Sequence, residues 1–314
     1  MGTPAFAVEP LRALHANGYN ISAVVTTPDK PAGRGQKLSQ SAVKDFATSN
    51  GLKLLQPANL KDNSFIQEIK SINPHVIVVV AFRMLPEVIW RIPSLGTFNL
   101  HASLLPHYRG AAPINWAVIN GESRTGVTTF LIDDKIDTGK ILMYQEVDIS
   151  QNETAGDLHD KLMPVGANLV LKTIDKLALG NISPVSQDEL VKESITLKSA
   201  PKLFKENTRI NWNLHATAIH NLVRGLSPYP GAWTYFIDAN GVEVQAKILG
   251  AQLVNADSTS KLPGVIQTDG KSYINVQCAK GTIAITQIQL AGKRNLPVKE
   301  FLLGYRGIDK CSFT

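Results

Sequence analysis

Cysteine is nearly absent: 314 residues contain two, Cys278 and Cys311. Thiols that far apart form neither a CxxC pair nor a zinc-ligand pattern, and they fit a reduced, cytoplasmic setting. Long hydrophobic runs are also missing. The longest, residues 76–82, has the length of a buried strand and falls well short of the roughly 18 residues of a membrane span. The opening Met1-Gly2-Thr3-Pro4 has no basic region leading into an apolar core, so no secretory signal is read. Phe6 stands where N-myristoylation needs Ser or Thr. There is no internal repeat and no low-complexity tract. Asp133, Asp134 and Asp137 lack the spacing of a calcium loop, so no metal is expected. One structural piece is missing too. A helix starting at Pro4 should follow a buried first strand, and no residues are left for it. The favoured reading is a numbering that starts late. Without that strand, sheet edges beside Val24 and Val78 would lie open and promote association.

What is present is a chain long enough for two domains, at 44% hydrophobic residues too apolar to be disordered. Its net charge of +6 sits in the C-terminal part: residues 201–314 hold 13 Lys and Arg against 7 Asp and Glu, while residues 1–200 are balanced. A neutral chamber joined to a part that meets a polyanion is one reading. A domain that merely happens to be basic is the other.

Helical and strand patterns alternate over the first 180 residues. Helices are expected at 4–17, bounded by Pro4 and Gly18, at 41–50, capped by Ser41 and closed by Gly51, and at 64–72, capped by Ser64. Strands are expected at 21–26, 53–55, 74–81 and 97–100. The third is continuously apolar, as a parallel strand covered on both faces must be. Residues 27–40 read as a long loop rich in Pro, Gly, Arg and Lys. Residues 126–132 and 141–147 form a strand pair. A helical stretch over 155–179 is interrupted near Pro164 and Gly166. The polar residues 181–205 read as a linker. This alternation implies an α/β fold, an open sheet with its site at the C-terminal edges of the strands. After Arg209 come one helix and about five short strands separated by turn signals, which suggest a small OB-like β-barrel. The domain boundaries are drawn as 1–190, with the first strand apparently missing, a linker at 191–206, and 207–314.

The chemistry concentrates in residues 97–113. Asn99 and His101 are two apart, so at a strand end they project to one face. An amide and an imidazole beside the apolar Leu104, Leu105 and Pro106 suit the polarising of a carbonyl. Read alone, His101 also fits a satisfied core histidine, and Asp137 fits a turn residue ahead of Gly139. His15, His75, His159, His215 and His220 are read as structural. Phe82, Met84 and Leu85 follow the buried strand and are expected to form an apolar wall. Arg83 between them is a candidate with the alternative of a solvated loop charge.

Asn99-Leu-His101-Ala-Ser103-Leu-Leu-Pro106, the continuation Tyr108-Arg-Gly-Ala-Ala-Pro113 and Asp137-Thr-Gly139 together resemble the folate-dependent formyltransferases. The string Pro31-Ala-Gly-Arg34-Gly35 and the basic C-terminal part resemble the branch of that family that acts on tRNA. The resemblance covers nearly the whole chain. It implies a Rossmann-like formyltransferase domain followed by an OB-like domain that helps hold tRNA. It implies an enzyme of protein biosynthesis, a one-carbon transferase of translation initiation. A formyl group would move from 10-formyltetrahydrofolate to the α-amino group of methionine on initiator tRNA. Asn99, His101 and Asp137 match the catalytic positions, residues Ser103, Leu104, Leu105 and Pro106 match the folate loop, and Phe82, Met84 and Leu85 are expected to form a second wall for the folate. Arg34 and Lys37 lie in the loop that in the family enters the acceptor end. Lys202, Lys205, Lys293, Arg294 and Lys299 are candidate phosphate contacts, each of which could equally be a solvated surface charge. A monomer with no membrane partner is expected. Formylation of a small amine such as an amino sugar, hydrolysis releasing formate, and a non-catalytic RNA-binding protein are the alternatives.

A polyanionic substrate imposes a salt signature. Raising salt from about 50 to about 200 mM should weaken tRNA use by orders of magnitude, and Arg34→Ala should impair tRNA use far more than folate binding. Steady-state kinetics with tRNA that do not change with salt would contradict this reading.

Overall fold

The computed structural model describes residues 1–32, 37–191, 196–259 and 262–314. The contacts divide them into two compact units. One comprises residues 1–110, 125–147 and 159–199; the other comprises 111–124, 148–158 and 200–314.

In the first unit the helix Ala5–Ala16 leads to the two-residue strand Val24–Val25, paired in parallel with Leu54–Leu55. A four-stranded sheet runs Ile77–Val79, Thr97–His101, Arg124–Leu131, Ile141–Asp148 in spatial order. Its first pair is parallel and its second antiparallel. Beside Val25 and Val78 the pairing is supplied by Met1 and Gly2. Gly2 donates its N–H to the Val25 carbonyl (3.0 Å), Val80 donates to the Met1 carbonyl (2.9 Å), and the Met1 amino group donates to the Val78 carbonyl (2.7 Å). Met1 and Gly2 thus bridge the parallel pair and the four-stranded sheet. Glycine is required at that junction, because a Cβ at position 2 would lie 2.5 Å from the Ala7 Cβ and 2.9 Å from the Val80 carbonyl oxygen.

Other local expectations change in detail. Ser41 caps the helix Ala42–Ser49 as expected, accepting from the Lys44 N–H at 3.1 Å. The next helix starts earlier than expected, at Asn63–Ile72, and its cap is Asp62, which accepts from the Ser64 N–H. Residues 27–40 are not a plain loop: Lys30–Ala32 pairs antiparallel with Lys37–Ser39. The helix Ala155–Ala178 runs through Pro164 without ending. The stretch read as a linker holds a short helix, Gln187–Leu190, and a short strand, Ser199–Ala200. The core beneath the parallel strands is Val25, Phe65, Ile69, Ile77, Val79 and Ile89. Among the described residues no helix is long and apolar enough to cross a membrane.

In the second unit a seven-stranded antiparallel sheet runs Ile266–Thr268, Ile274–Gln277, Lys280–Leu290, Glu243–Thr259, Ala232–Ile237, Ser312–Phe313, with Leu296–Pro297 on the side of Lys280–Leu290. A bridge between Val265 and Ser312 brings its two ends together, so the sheet closes nearly into a barrel. Register shifts along the 17-residue strand Glu243–Thr259 supply the bulges that bend it. Phe236, Ile248, Ile274 and Ile283 fill the interior, and the helix Ala216–Gly225 adds Ile219 and Val223.

His220 of that helix is buried, which fits the structural reading. Burial pushes its imidazole pKa down, and the Arg224 guanidinium adds to that, against a backbone hydrogen bond at Ala251. The unfolded chain takes up a proton near pH 6.5, whereas folded His220 resists it to lower pH. Stability linked to this group is therefore complete above the ordinary imidazole pKa and is lost as pH falls through it. The thermal midpoint should fall between about pH 7.5 and about pH 5.5, and less steeply in His220→Gln. An identical slope in that variant would count against the assignment.

Candidate active site

The strand Thr97–His101 fixes the site. Asn99 is hydrogen-bonded into register with Val79 on one side and Phe130 on the other, and His101 pairs with Thr128. The strand extends one residue past its expected end, so His101 belongs to the sheet and not to a loop. Strand alternation places Asn99 and His101 on the same face. His101 is 6% exposed. The Phe130 ring meets it edge-on with centroids 6.4 Å apart.

His101 Nε2 lies 2.8 Å from the Tyr108 carbonyl oxygen. A carbonyl can only accept, so Nε2 carries a proton, and the exchangeable position is Nδ1. Nδ1 faces Asp137 Oδ2 at 3.8 Å, close enough for charge attraction and too long for a direct hydrogen bond. Asp137 has φ +56°, a left-handed conformation that costs a non-glycine residue about 1–2 kcal/mol. Its Oδ2 also accepts the Gly110 N–H at 2.9 Å. The third group, Asn99, has its Oδ1 buried with no hydrogen-bond partner in the protein. An orphaned buried acceptor of this kind costs about 1–3 kcal/mol unless a ligand satisfies it. The three residues chosen from sequence are thus brought together.

The Asp137 loop is set by its neighbours. Gly139 is obligatory, since a Cβ there would stand 1.7 Å from the Leu131 carbonyl oxygen. Asp133 accepts from Thr138 Oγ1 (2.8 and 3.0 Å) and from the Lys135 N–H, so its carboxylate builds the turn. Gln187 was not singled out in the sequence. It donates Nε2 to the carbonyls of Asp137 (2.9 Å) and Gly139 (2.8 Å), and Arg109 donates Nε and Nη2 to its Oε1. Nothing local marks Gln187, because every partner is 48 or more residues away.

Residues 103–106 form a braced loop. Ser103 Oγ donates to the His107 carbonyl at 2.8 Å. Thr128 Oγ1 donates to the Ser103 carbonyl (2.7 Å) and accepts from the Leu105 N–H (3.3 Å). Leu105 packs with Phe130 and Ile141, Pro106 is buried, and Leu104 is half-buried. The second expected wall divides. Leu85 is a core residue, Phe82 is half-buried, and Met84 is 65% exposed. Arg83 is not a free loop charge: it donates to the carbonyls of Ala58 (2.9 Å) and Pro57 (2.7 Å) and lies over the Phe82 ring.

Of the basic residues, Arg34 lies outside the described residues, as does the side chain of Lys37, whose backbone belongs to Lys37–Ser39. The hairpin base is held by Asp29, which accepts from Lys44 and Gln56; the Lys44 ammonium keeps that carboxyl below the ordinary range. Lys202 lies over Phe204, and Lys205 lies over Trp233. Arg209, missed in the sequence, sits over both Trp233 and Tyr235. Its rings come from a strand more than twenty residues on, so only the fold shows the cluster. Lys293, Arg294 and Lys299 are exposed.

Comparison with known proteins gives a consistent picture. Residues 1–174 match the family described as formyl transferase, and residues 202–306 match the formyl transferase C-terminal domain. A methionyl-tRNA formyltransferase of Parabacteroides distasonis is 50% identical over 309 residues, 98% of this chain and 95% of the relative. Its namesake in Flavobacterium johnsoniae is 49% identical over 310 residues, 99% of this chain and 96% of the relative. Among solved structures, WlaRD, a sugar 3N-formyl transferase crystallised in the presence of dTDP and 5-N-formyl-THF, has a TM-score of 0.65 at 22% identity, covering 93% of this chain and 97% of its own. At that identity the likeness speaks to the fold alone.

Proposed function

The chain belongs to the formyl transferase family, and on that premise we propose that it formylates the α-amino group of methionyl initiator tRNA, with 10-formyltetrahydrofolate as donor. The observation that carries the chemistry is the buried, unpartnered Asn99 Oδ1 on the same strand face as His101, with Asp137 Oδ2 opposite Nδ1. The choice of acceptor is supported by relatives of that name at about half identity along nearly the full length.

The donor supplies the formyl carbonyl and leaves as tetrahydrofolate. The remaining work falls to this chain. Attack by an amine on a formyl carbon puts negative charge on the carbonyl oxygen and positive charge on nitrogen. The Asn99 amide is the preorganised dipole for that exchange: an amine N–H satisfies the orphaned Oδ1, and an amide N–H is the donor an oxyanion needs. His101 is held by its Nε2–H, so its proton chemistry is confined to Nδ1. The gap of 3.8 Å to Asp137 leaves room for a third atom between the two, an amine nitrogen or a water. Asp137 stabilises the imidazolium and takes the ammonium proton directly or through that water, and a proton passed on to N10 of the donor lets its C–N bond break so that tetrahydrofolate leaves as a neutral amine. The braced loop at residues 103–106 offers backbone groups beside apolar side chains, which suits a flat, edge-polar pterin. Lys202, Lys205 and Arg209, each over an aromatic ring, suit an RNA backbone.

Asn99→Ala, His101→Ala and Asp137→Asn should each reduce single-turnover transfer by about a hundredfold or more while leaving the tRNA dissociation constant unchanged. Transfer within about tenfold of the unaltered protein in any of the three would contradict the assignment.

A further inference from the structure

Gln187 is 2% exposed and takes no part in the chemistry just described. Both ends of its amide are engaged, two donations to the carbonyls of Asp137 and Gly139 and a forked acceptance from Arg109. Arg109 is followed by Gly110, and the Gly110 N–H donates to Asp137 Oδ2 at 2.9 Å. The bonds therefore close a ring. Starting at the Asp137 carboxylate, it passes through Gly110 to the Arg109 side chain, through the Gln187 amide, and back to the Asp137 carbonyl. Carboxylate and backbone of the same residue are held at once. Asp137 needs this, because its left-handed φ of +56° is not one an aspartate adopts by preference.

We propose that Gln187 is a positioning residue for formyl transfer, which holds the Asp137 loop so that the carboxylate stays at the Nδ1 side of His101. It acts through Asp137 and does not touch substrate. The inference rests on the formyl-transfer reading above. Glutamine is the side chain that fits, since the ring requires an acceptor facing Arg109 and two donors facing carbonyl oxygens. A glutamate would keep the first and set a carboxylate oxygen against both carbonyls.

The test uses the full-length protein with Gln187→Met and Gln187→Glu, each alone and with Asp137→Asn. Single Gln187 variants should lose about 10- to 100-fold in kcat, with KM for donor and tRNA within about threefold, and Gln187→Glu should be no better than Gln187→Met. On the Asp137→Asn background the same substitutions should change the residual single-turnover rate by less than about threefold, because the residue they act through is already disabled. Amide hydrogen exchange gives a second readout without turnover. Protection should fall at residues 133–139 and persist in Thr97–His101. A kcat near that of the unaltered protein, an equal loss on the Asp137→Asn background, or loss of protection in Thr97–His101 as well would each overturn the proposal. Failure of the unaltered protein to formylate methionyl initiator tRNA would instead overturn the functional reading, and the exchange experiment would still decide the positioning.

Discussion

The site depends on one constraint: the strand Thr97–His101 is hydrogen-bonded on both sides. Pairing with Ile77–Val79 and with Arg124–Leu131 fixes the register of Asn99 and His101. That register sets the amide and the imidazole on one face without recourse to flexible loops. The imidazole is then fixed in rotation by the Tyr108 carbonyl, and its remaining nitrogen faces Asp137. An Asn99 oxygen left unsatisfied within so well paired a strand is a destabilising feature of the fold alone, of the kind that accompanies a binding function.

The strand also explains the architecture around it. Ile77–Val79 is itself anchored through Met1 and Gly2, which bridge to Val25 and so join the parallel pair to the main sheet. On the other side, Thr128 braces the loop at residues 103–106 by taking the Leu105 N–H and giving its hydroxyl proton to the Ser103 carbonyl. A chemical site and a candidate ligand loop therefore share one support.

Much of this was legible in the sequence, and the reasons are local. Alternation of apolar strand and amphipathic helix gave the α/β class, and the spacing of Asn99 and His101 gave their shared face. The Ser41 cap followed from a rule that acts within a few residues. What escaped depends on distant partners. The role of Met1 and Gly2 as a bridge was missed because two residues carry no strand pattern. Gln187 sat in a polar stretch whose periodicity says nothing of carbonyls about fifty residues upstream. The sequence left Arg83 open between a site residue and a loop charge because its acceptors, Pro57 and Ala58, belong to another loop. Pro164 suggested a break, but the helix Ala155–Ala178 continues through it; packed neighbours such as Leu158, Leu162 and Leu169 are all buried.

The uneven charge gives the chemistry its direction. A site for amine attack on a formyl carbonyl could serve any amine. A basic C-terminal part with cations over aromatic rings fits an amine carried by a polyanion. The most direct measurement is a competition. The protein is given 10-formyltetrahydrofolate with methionyl initiator tRNA and a nucleotide-linked amino sugar together, and the formylated product is identified. The account predicts formyl on the methionine α-amine of the tRNA, with the sugar unchanged. Formyl on the sugar amine, with the tRNA unmodified, would contradict it.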